Sequence, residues 1–466
     1  MKAAGILLCT VWAIAGITSQ AAAAPGDLAW FHNLGGYVYS CPAVSGSYVY
    51  VGSLDGNVYC LNAATGLEVW SFPTNGNVVS SPAVSGGYVY VGSQSKRVYC
   101  LDAATGVLVW SYATHDAVQS SPAVSGGYVY IGSYDNCLYC LDAATGTREW
   151  LYSTGGDVYS SPAVSGGCVY VGSVDGKVYC LYADRGGFVW SFQTASYVYA
   201  SPAVSDGYVY IGSYGSKFYC LDAATGAEVW SIDTAGDVSS SAAVRGPYVY
   251  VGDDGGKVYC LDAATGAEVW SYQTGHFVNS SPAVSGEYVY VGSDDNKLYC
   301  LDASTGELVW SYETGHDVIS SPAVEFGYVY VGSHDNNVYC IEAGAGDLGN
   351  WPMFRYDLEN TGSTDEPPPW PSAHNLGLYW NMIGCLRASD TPKALADCVV
   401  DNGGQYLWWD DATAAGLLQH EVYYYVPGAG YGVLCTSGGD DDHIQPGMGY
   451  WLLTYQPGLR LLVPVP

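Results

Sequence analysis

Histidine and aspartate side chains in turn-like segments are the residues of this sequence best suited to chemistry. His115, His276 and His316 stand among acidic residues, and neutral imidazole and carboxylate are both competent metal ligands. His276 and His316 share one offset in a repeating pattern, whereas His115 lies far from both. At most two of the three histidines are therefore expected to lie close together, unless a site lies at the centre of the fold. The sequence predicts exposed imidazole rings and no metal site.

Motifs for hydrolysis and for phosphate binding are absent from the sequence. The chain contains no GxSxG turn, no HExxH helix and no glycine-rich loop followed by Lys and Ser or Thr. Serine pairs such as Ser80 and Ser81 recur along the chain, and a nucleophile would not be needed so many times. We expect these hydroxyl groups to pack and to form hydrogen bonds around an axis, and we predict no catalytic residue.

The charge of the chain excludes two classes of partner. Its 14 Lys and Arg face 44 Asp and Glu, which gives a formal net charge of −30. Nucleic acids and anionic membrane surfaces are bound mainly through clustered cations, so neither is expected as a partner. A hydrophobic fraction of 49%, with 60 Gly and 44 Tyr, also excludes a disordered acidic chain and favours a β-rich fold.

A 40-residue repeat organises most of the chain. Each unit divides into four short β-forming segments, which in the second unit span residues 78–84, 88–92, 98–101 and 108–112. The turns between them are SerGlyGly, a tight AspGly or AspAsn hairpin, and AlaAlaThrGly. Four antiparallel strands in each unit make one blade of a propeller. The period is marked by cysteines, which are Cys60, Cys100, Cys140, Cys180, Cys220, Cys260, Cys300 and Cys340.

The ends of the repeat array predict how the ring closes. The first three segments of the unit occur eight times, but no fourth segment follows the last set. Residues 27–31 match that missing segment and precede the first unit. We therefore expect them to complete the last blade, which removes an exposed sheet edge. The predicted fold is all-β, an eight-bladed β-propeller whose N-terminal strand closes the last blade.

The repeat resembles the tryptophan-docking motif of the pyrroloquinoline quinone (PQQ) repeat family, the quinoprotein alcohol dehydrogenase-like β-propellers. One unit carries the motif on Asp102, Thr105, Gly106 and Trp110, with Cys100 where the family has Ala. The resemblance covers residues 27 to about 362, including WPMFRYDLENTG at 351–362. It implies that the motif residues dock neighbouring blades: Trp30, Trp70, Trp110, Trp150, Trp190, Trp230, Trp270, Trp310, Gly66, Gly106, Gly146, Gly226, Gly266 and Gly306.

Departures from the family motif are few. Tyr182 and Arg185 replace Asp and Thr in the fourth unit, and Glu342 and Ala345 do so in the eighth. The recurrent cysteine is a small residue beside an aromatic ring, which is typical of a buried thiol in sulfur–aromatic contact. Equivalent positions in adjacent blades are too far apart for disulfides or a shared ion.

The resemblance implies two alternative functions. Enzymatic members of the family are dehydrogenases that use PQQ and Ca²⁺, but they carry long insertions and a pair of adjacent cysteines that this sequence lacks. BamB-type members are non-enzymatic and imply a protein-interaction role. We therefore expect no cofactor, and PQQ with Ca²⁺ only under the dehydrogenase alternative. Five cations at one hairpin offset are possible partners of an anionic ligand, although we expect solvated side chains: Arg97, Lys177, Lys217, Lys257 and Lys297.

One face of the predicted ring varies from blade to blade. Antiparallel order puts the connections between fourth and first strands on the same face as the hairpins between second and third strands. The turns of the opposite face are nearly invariant, so the first face is the candidate binding surface, with neutral drift as the alternative. Its candidate residues are Tyr37, Gln94, His115, Asp116, Tyr134, Asp157, Tyr197, Tyr214, Asp237, Asp254, His276, Phe277, Asp294, His316, Asp317 and His334.

Composition divides the chain into four parts. Lys2 and the apolar run after it predict a signal peptide over residues 1–23, and therefore export to a periplasmic or extracellular location. The propeller is expected over 24–348, the family-like segment and a Pro-rich linker over 349–372, and a small β-rich module over 373–466. No later run is long and apolar enough to predict a membrane-spanning segment.

The C-terminal module has its own alternatives. Strand-like runs occur near residues 376–384, 406–409, 422–426 and 449–453, with a helical stretch near 391–400. Its first and last motifs resemble a small β-module appended to many secreted bacterial proteins. The aromatic residues of the module suit either a β core or carbohydrate binding, and these are Trp408, Trp409, Tyr423, Tyr424 and Tyr425. One disulfide among Cys385, Cys398 and Cys435 is possible. The sequence predicts an exported binding or assembly scaffold with a protein or envelope partner, in an unknown oligomeric state.

Overall fold

The computed structural model describes residues 24–343 and, further along, the strands between Trp380 and Leu462. The predicted signal peptide, 1–23, and the predicted linker region, 349–372, lie outside the described residues. The part of the chain that is described contains strands and turns but no helix. None of it therefore forms a helix that could cross a membrane.

Residues 24–343 form eight four-stranded antiparallel sheets, as the repeat predicted. Each sheet is one blade, and the blades follow one another in chain order. The first four blades use β1 (Leu28–Asn33), β2 (Ala43–Ser45), β3 (Tyr48–Gly52), β4 (Asn57–Asn62), β5 (Glu68–Pro73), β6 (Ala83–Ser85), β7 (Tyr88–Ser93), β8 (Arg97–Asp102), β9 (Leu108–Ala113), β10 (Ala123–Ser125), β11 (Tyr128–Gly132), β12 (Cys137–Asp142), β13 (Arg148–Ser153), β14 (Ala163–Ser165), β15 (Cys168–Gly172), β16 (Lys177–Tyr182) and β17 (Phe188–Gln193).

The other four blades continue the same order. Their strands are β18 (Ala203–Ser205), β19 (Tyr208–Ser213), β20 (Lys217–Asp222), β21 (Glu228–Asp233), β22 (Ala243–Arg245), β23 (Tyr248–Gly252), β24 (Lys257–Asp262), β25 (Glu268–Gln273), β26 (Ala283–Ser285), β27 (Tyr288–Ser293), β28 (Lys297–Asp302), β29 (Leu308–Glu313), β30 (Ala323–Glu325), β31 (Tyr328–Gly332) and β32 (Asn337–Glu342). Blade 1 is β2 to β5, and blade 8 combines β30, β31 and β32 with β1.

The N-terminal strand closes the ring, which confirms the predicted closure. β1 pairs antiparallel with β32, and Trp30 lies opposite Cys340. The residues before β1 also take the place of part of the turn that follows the third strand in the other blades. The backbone N–H of Gly26 donates to the carbonyl of Glu342 at 2.8 Å, as the N–H of Gly106 donates to that of Asp102 at 2.8 Å inside blade 2. The AlaAlaThrGly turn of the other blades is thus completed in blade 8 by the other end of the chain.

The first strand of each blade is shorter than predicted. Residues 78–84 were expected to be a strand, but β6 spans only Ala83–Ser85. The preceding backbone is held by serine hydroxyls instead of by a strand partner. Ser80 Oγ accepts the N–H of Gly92 at 3.0 Å, and Ser121 Oγ, in the next blade, accepts the N–H of Ser81 at 2.9 Å. The serine pairs therefore link adjacent blades around the axis.

Tryptophan and glycine pack together at the blade interfaces. The indole N–H of Trp70 in blade 1 donates to the carbonyl of Ala103 in blade 2 at 3.0 Å. Gly106 has φ +70°, and a Cβ there would lie 2.6 Å from the Trp70 ring. The indole of Trp310 instead lies against Gly26, and its N–H has no partner among the described residues. The interface between blades 7 and 8, to which the N-terminal segment contributes Gly26, therefore lacks one of the bonds that the described residues make at the other interfaces.

The recurrent cysteines are buried free thiols. Cys60 lies opposite Trp70 on the neighbouring strand. Burial raises the pKa of the Cys60 thiol to about 12, so the thiolate is not populated at neutral pH. These residues fill the core.

The C-terminal part is also built from strands. The helix expected near residues 391–400 is wrong, because two strands occupy that segment. Side chains of this part lie outside the described structure, including those of the candidate cysteines and aromatic residues. The strands are β33 (Trp380–Met382), β34 (Lys393–Ala394), β35 (Val399–Asn402), β36 (Gln405–Trp408), β37 (Leu418–Val426), β38 (Gly430–Cys435), β39 (His443–Ile444), β40 (Gly449–Thr454) and β41 (Arg460–Leu462). They form sheets of four, three and two strands.

Candidate functional site

We call the face that carries the hairpins between second and third strands the variable face, and the opposite one the uniform face. On the variable face, each hairpin is bonded to the loop that enters the same blade. The N–H of Tyr214 donates to the carbonyl of Tyr197 at 2.9 Å, and the N–H of Asp254 donates to that of Asp237 at 2.8 Å. The corresponding bond recurs in every blade. The two sets of candidate residues therefore form one ring around the mouth of the axis.

Tyrosines occupy one sector of this mouth. Tyr199 lies 4.6 Å from Tyr214 and 5.3 Å from Tyr159, measured between ring centroids. Tyr159 in turn lies 5.8 Å from Tyr134. Tyr197, with its ring 6.3 Å from that of Tyr199, is 52% exposed at the outer end of the cluster. Three of the candidate residues, Tyr134, Tyr197 and Tyr214, thus belong to one continuous aromatic surface.

The innermost residues of the mouth are not among those predicted from the sequence. Tyr39, Tyr159, Tyr199, Ser239 and Asn279 share one offset, two residues after the predicted set that begins with Tyr37. Burial raises the pKa of Tyr159, and the Tyr39 phenol in blade 1 adds to that rise from across the axis. Side chains two residues apart in an extended segment point the same way, and this offset also differs between blades. That pattern could have identified the set.

Carboxylates occupy the next sector. Ser239 Oγ donates to Asn279 Oδ1 at 2.6 Å, and Asn279 Nδ2 donates to Asp294 Oδ2 at 3.0 Å. Burial raises the pKa of Asp254 to about 6, and the nearby Asp237 contributes to the shift. Burial likewise raises the pKa of Asp294 to about 6. The other oxygen, Asp294 Oδ1, is buried and accepts no hydrogen bond from the described residues.

Histidines meet at the junction of blades 8 and 1. His334 is 6% exposed, and its ring centroid lies 5.1 Å from that of Tyr37 and 4.2 Å from that of Tyr39. His316 and His334 lie 6.0 Å apart by the same measure, with Asp317 beside both. Burial lowers the pKa of His334, so its imidazole is neutral at neutral pH. The convergence of two histidines agrees with the limit expected from their spacing, but the partner of His316 is His334.

The remaining candidates lie around these sectors. Lys96 Nζ lies 3.0 Å from Asp116 and donates to the carbonyl of His115 at 3.3 Å. The rings of His276 and Phe277 contact each other, with centroids 4.3 Å apart. Gln94 and Asp157 sit at the hairpin of blade 2 and at the loop entering blade 4. Burial raises the pKa of Asp157, and the charge of Asp116 adds to that rise. These side chains therefore extend the variable face around the three sectors.

The five cations at one hairpin offset each begin the third strand of a blade. Arg97 Nη1 donates to Ser111 Oγ at 2.9 Å on the fourth strand of its blade. Lys217 Nζ pairs with Asp233 at 2.9 Å, also on a fourth strand. Lys177 and Lys297 begin third strands in the same register, opposite Gln193 and Glu313. Lys257 Nζ lies 5.7 Å from the ring centroid of Tyr259. None of these contacts is with the mouth.

Solved structures share the fold of this chain at low sequence identity. BamB from Moraxella catarrhalis is 19% identical with a TM-score of 0.60, over 68% of this chain and 99% of that one. The computationally designed Ika8 protein is 20% identical with a TM-score of 0.62, over 68% and 99%. Quinohemoprotein alcohol dehydrogenase from Comamonas testosteroni is 17% identical with a TM-score of 0.59, over 69% and 77%.

Sequence comparison shows the family. A search of curated proteins finds no match. The family model described as outer membrane protein assembly factor BamB matches residues 16–119, 94–199, 153–235 and 215–352, which together exceed half of the chain. This chain therefore belongs to the BamB family of PQQ-like β-propellers.

Proposed function

We propose that this chain is an exported, non-catalytic propeller that binds a protein partner through its variable face. The observation that carries the proposal is the asymmetry of the mouth. Eight sheets of the same design place tyrosines in one sector, carboxylates in the next and histidines in a third. A ring whose only task was to be stable would not need such sectors, whereas recognition of an asymmetric partner does.

The chemistry of the mouth indicates what kind of partner segment fits. Exposed tyrosine rings such as Tyr197 offer large contact area and attract cationic side chains over their faces. Asp237, Asp254 and Asp294 add negative charge beside them. A partner segment that presents Lys or Arg together with apolar side chains would be complementary to both sectors.

Family membership supports the interaction and export parts of the proposal. The family model is described by an assembly role for outer membrane proteins, which is a protein-interaction function. The signal peptide predicted over residues 1–23 would export the chain from the cytoplasm, as a role in outer membrane assembly requires. The identity of the partner is not transferred from the family.

The alternative of a PQQ-dependent dehydrogenase rests on the shared fold. PQQ carries three carboxyl groups, so its site needs cations. The described mouth contains Asp254, Asp294 and Asp317, and Lys96 on the variable face is paired with Asp116. These acidic residues do not fit a cofactor that carries three carboxyl groups. Calorimetric titration with PQQ and Ca²⁺, followed by a dye-reduction assay, tests this alternative, which predicts saturable one-to-one binding and activity.

Matched variants on the two faces test the proposed function. Tyr197→Ala with Phe277→Ala removes two exposed aromatic rings from the variable face, and Tyr182→Ala with Phe188→Ala removes two from the uniform face. We expect a partner captured from the native envelope fraction to be retained by the wild type and the uniform-face variant, and to be lost from the variable-face variant. Equal loss from both variants would contradict the proposal.

Carbohydrate binding by the C-terminal module stays a prediction. Its strand β36 contains Trp408 and β37 contains Tyr423 to Tyr425, but the positions of these side chains lie outside the described structure. Glycan-array binding by residues 373–466 would support it.

A further inference from the structure

The junction of blades 8 and 1 brings together three donor groups that the proposed function does not require. His316 and Asp317 lie in the loop that enters blade 8, and His334 lies in the hairpin of the same blade. We propose that His316, Asp317 and His334 form a binding site for one divalent transition-metal ion, with Zn²⁺ as the probe. This inference is independent of the proposed protein partner.

The three side chains are close enough to share an ion. One ligand atom from each lies within 4.8 Å of the others. Zinc binds imidazole nitrogen and carboxylate oxygen at about 2.0–2.2 Å, so two of its ligands are at most about 4.4 Å apart. Small side-chain rotations would close that difference. His316 is free to make them, because its side chain is 54% exposed.

The buried member of the set lacks the hydrogen bonds that a structural histidine would make. His334 is 6% exposed, and its Nε2 has no partner among the described residues. Its Nδ1 lies 3.7 Å from Asp317 Oδ2, beyond hydrogen-bond distance. A buried ring nitrogen without a hydrogen bond costs free energy unless something else binds it. Tyr37 and Tyr39 pack against this ring and hold it beside Asp317.

The exposed member already lies beside a second proposed ligand. His316 Nδ1 accepts the backbone N–H of Asp317 at 2.8 Å. The same nitrogen lies 3.2 Å from Asp317 Oδ1. The imidazole ring and the carboxylate are therefore already close together, as two ligands of one metal ion must be.

The donor set favours one class of metal. Two imidazoles and a carboxylate suit Zn²⁺ and similar ions, whereas Ca²⁺ and Mg²⁺ prefer sites made of oxygen. The neighbouring Asp294, which has a buried oxygen without a partner in the described part of the chain, adds to the negative potential that attracts a cation. Three protein ligands leave at least one position of a tetrahedral ion for water or for a ligand from outside.

The repeat provides a matched control within the same chain. His276 occupies the position of His316 one blade earlier, but the hairpin of its blade has Asp294 where blade 8 has His334. His276 therefore has the equivalent loop position, but it lacks both the second imidazole and the carboxylate, since Phe277 stands where blade 8 has Asp317. His276→Ala should leave zinc binding unchanged if the proposed ligands are correct.

Zinc titration of the full chain by calorimetry tests the site. We expect one equivalent of Zn²⁺ to bind the wild type, and His334→Ala, Asp317→Asn and His316→Ala each to weaken that binding at least ten-fold. His316 is exposed, so its variant keeps the test valid even if loss of the His334 ring impairs folding. Histidines outside residues 24–343 contribute the same background to every variant.

A spectroscopic measurement identifies the ligands. Cu²⁺ bound to the wild type should show electron paramagnetic resonance couplings from two imidazole nitrogens, and bound to His316→Ala from one. The proposal would be overturned if His276→Ala weakened zinc binding as much as His316→Ala does. It would also be overturned if the wild type bound no more zinc than the His334→Ala and His316→Ala variants.

Discussion

The turn aspartates of the uniform face and the mouth aspartates Asp254 and Asp294 of the variable face have opposite pKa shifts. On the uniform face, hydrogen bonds from Thr105 lower the pKa of Asp102, and the same turn recurs at Asp142, Asp222 and Asp262. On the variable face, burial raises the pKa of Asp254 and of Asp294 to about 6. The same residue type thus stabilises turns on one face and is held in an unfavourable charged state on the other.

The contrast shows how the repeat separates structure from recognition. The uniform face uses side chains to hold its turns, as when Asp102 Oδ1 accepts the N–H and the hydroxyl of Thr105 at 2.9 and 2.7 Å. The variable face also uses recurrent side chains, as when Thr274 Oγ1 donates to the carbonyl of His276 at 2.6 Å. Its hairpins, however, are joined to its loops by backbone bonds, as when the N–H of Tyr214 donates to the carbonyl of Tyr197. Backbone bonds place no demand on side-chain type, so residues at the mouth are free to differ.

The largest effect is expected from the docking glycine of the uniform face. Gly106→Ala places a methyl group against the Trp70 ring at positive φ, and we expect it to cost about 3–5 kcal/mol. Gly126→Ala is the matched control, because φ is +59° there and nothing lies within 4 Å of the added Cβ. It should cost about 1–2 kcal/mol. Urea unfolding of both variants measures the difference, and equal costs would contradict the docking role.

The buried aspartates predict a loss of stability as pH rises. Because the folded-state pKa of Asp254 and Asp294 is above that of the unfolded chain, the folded state binds more protons between pH 4 and about 6. Asp254→Asn with Asp294→Asn should therefore stabilise the protein at pH 8, on the order of 1 kcal/mol for each site after solvent screening. At pH 4 the gain should vanish. Unfolding midpoints at the two pH values check both statements.

The aspartates of the uniform-face turns should have the opposite effect on stability, which they increase as pH rises. The pKa of Asp102 is lowered in the folded state, so its contribution is present above the unfolded value and is lost as pH falls below about 4. Asp102→Ala should cost about 1 kcal/mol at pH 7. Asp102→Asn should cost less, because Asn62 makes the same bonds to Thr65 in blade 1. If both variants cost the same, the hydrogen bonds are not what holds the turn.

The smallest effect is expected from exposed aromatic residues. Tyr197 and Phe188 are 52% and 53% exposed, on the variable and the uniform face respectively. Replacing either with Ala should change the free energy of unfolding by less than about 0.5 kcal/mol. Thermal unfolding of the two variants checks this. A large destabilisation by Tyr197→Ala would mean that the ring stabilises the fold and is not available for recognition.

The repeat made the architecture predictable from the sequence alone. Its period fixes which segments are strands, and the unmatched segment near Trp30 predicts the pairing with β32. The short first strand was not predictable from pattern, because Ser80 and Ser81 satisfy the backbone there through hydroxyl bonds between blades. The spacing of the histidines in the sequence also did not predict the histidine cluster. Tyr37 and His334 are far apart in the chain and meet only because the ring closes.

Photo-crosslinking from the two faces tests the central claim most directly. A benzophenone amino acid placed at Tyr197 or at Phe188 reports contacts within reach of two equally exposed side chains. The proposed function predicts that the residue at position 197 crosslinks to one partner in the native envelope, and that the residue at position 188 does not. A partner crosslinked from position 188 instead, or equally from both, would contradict it.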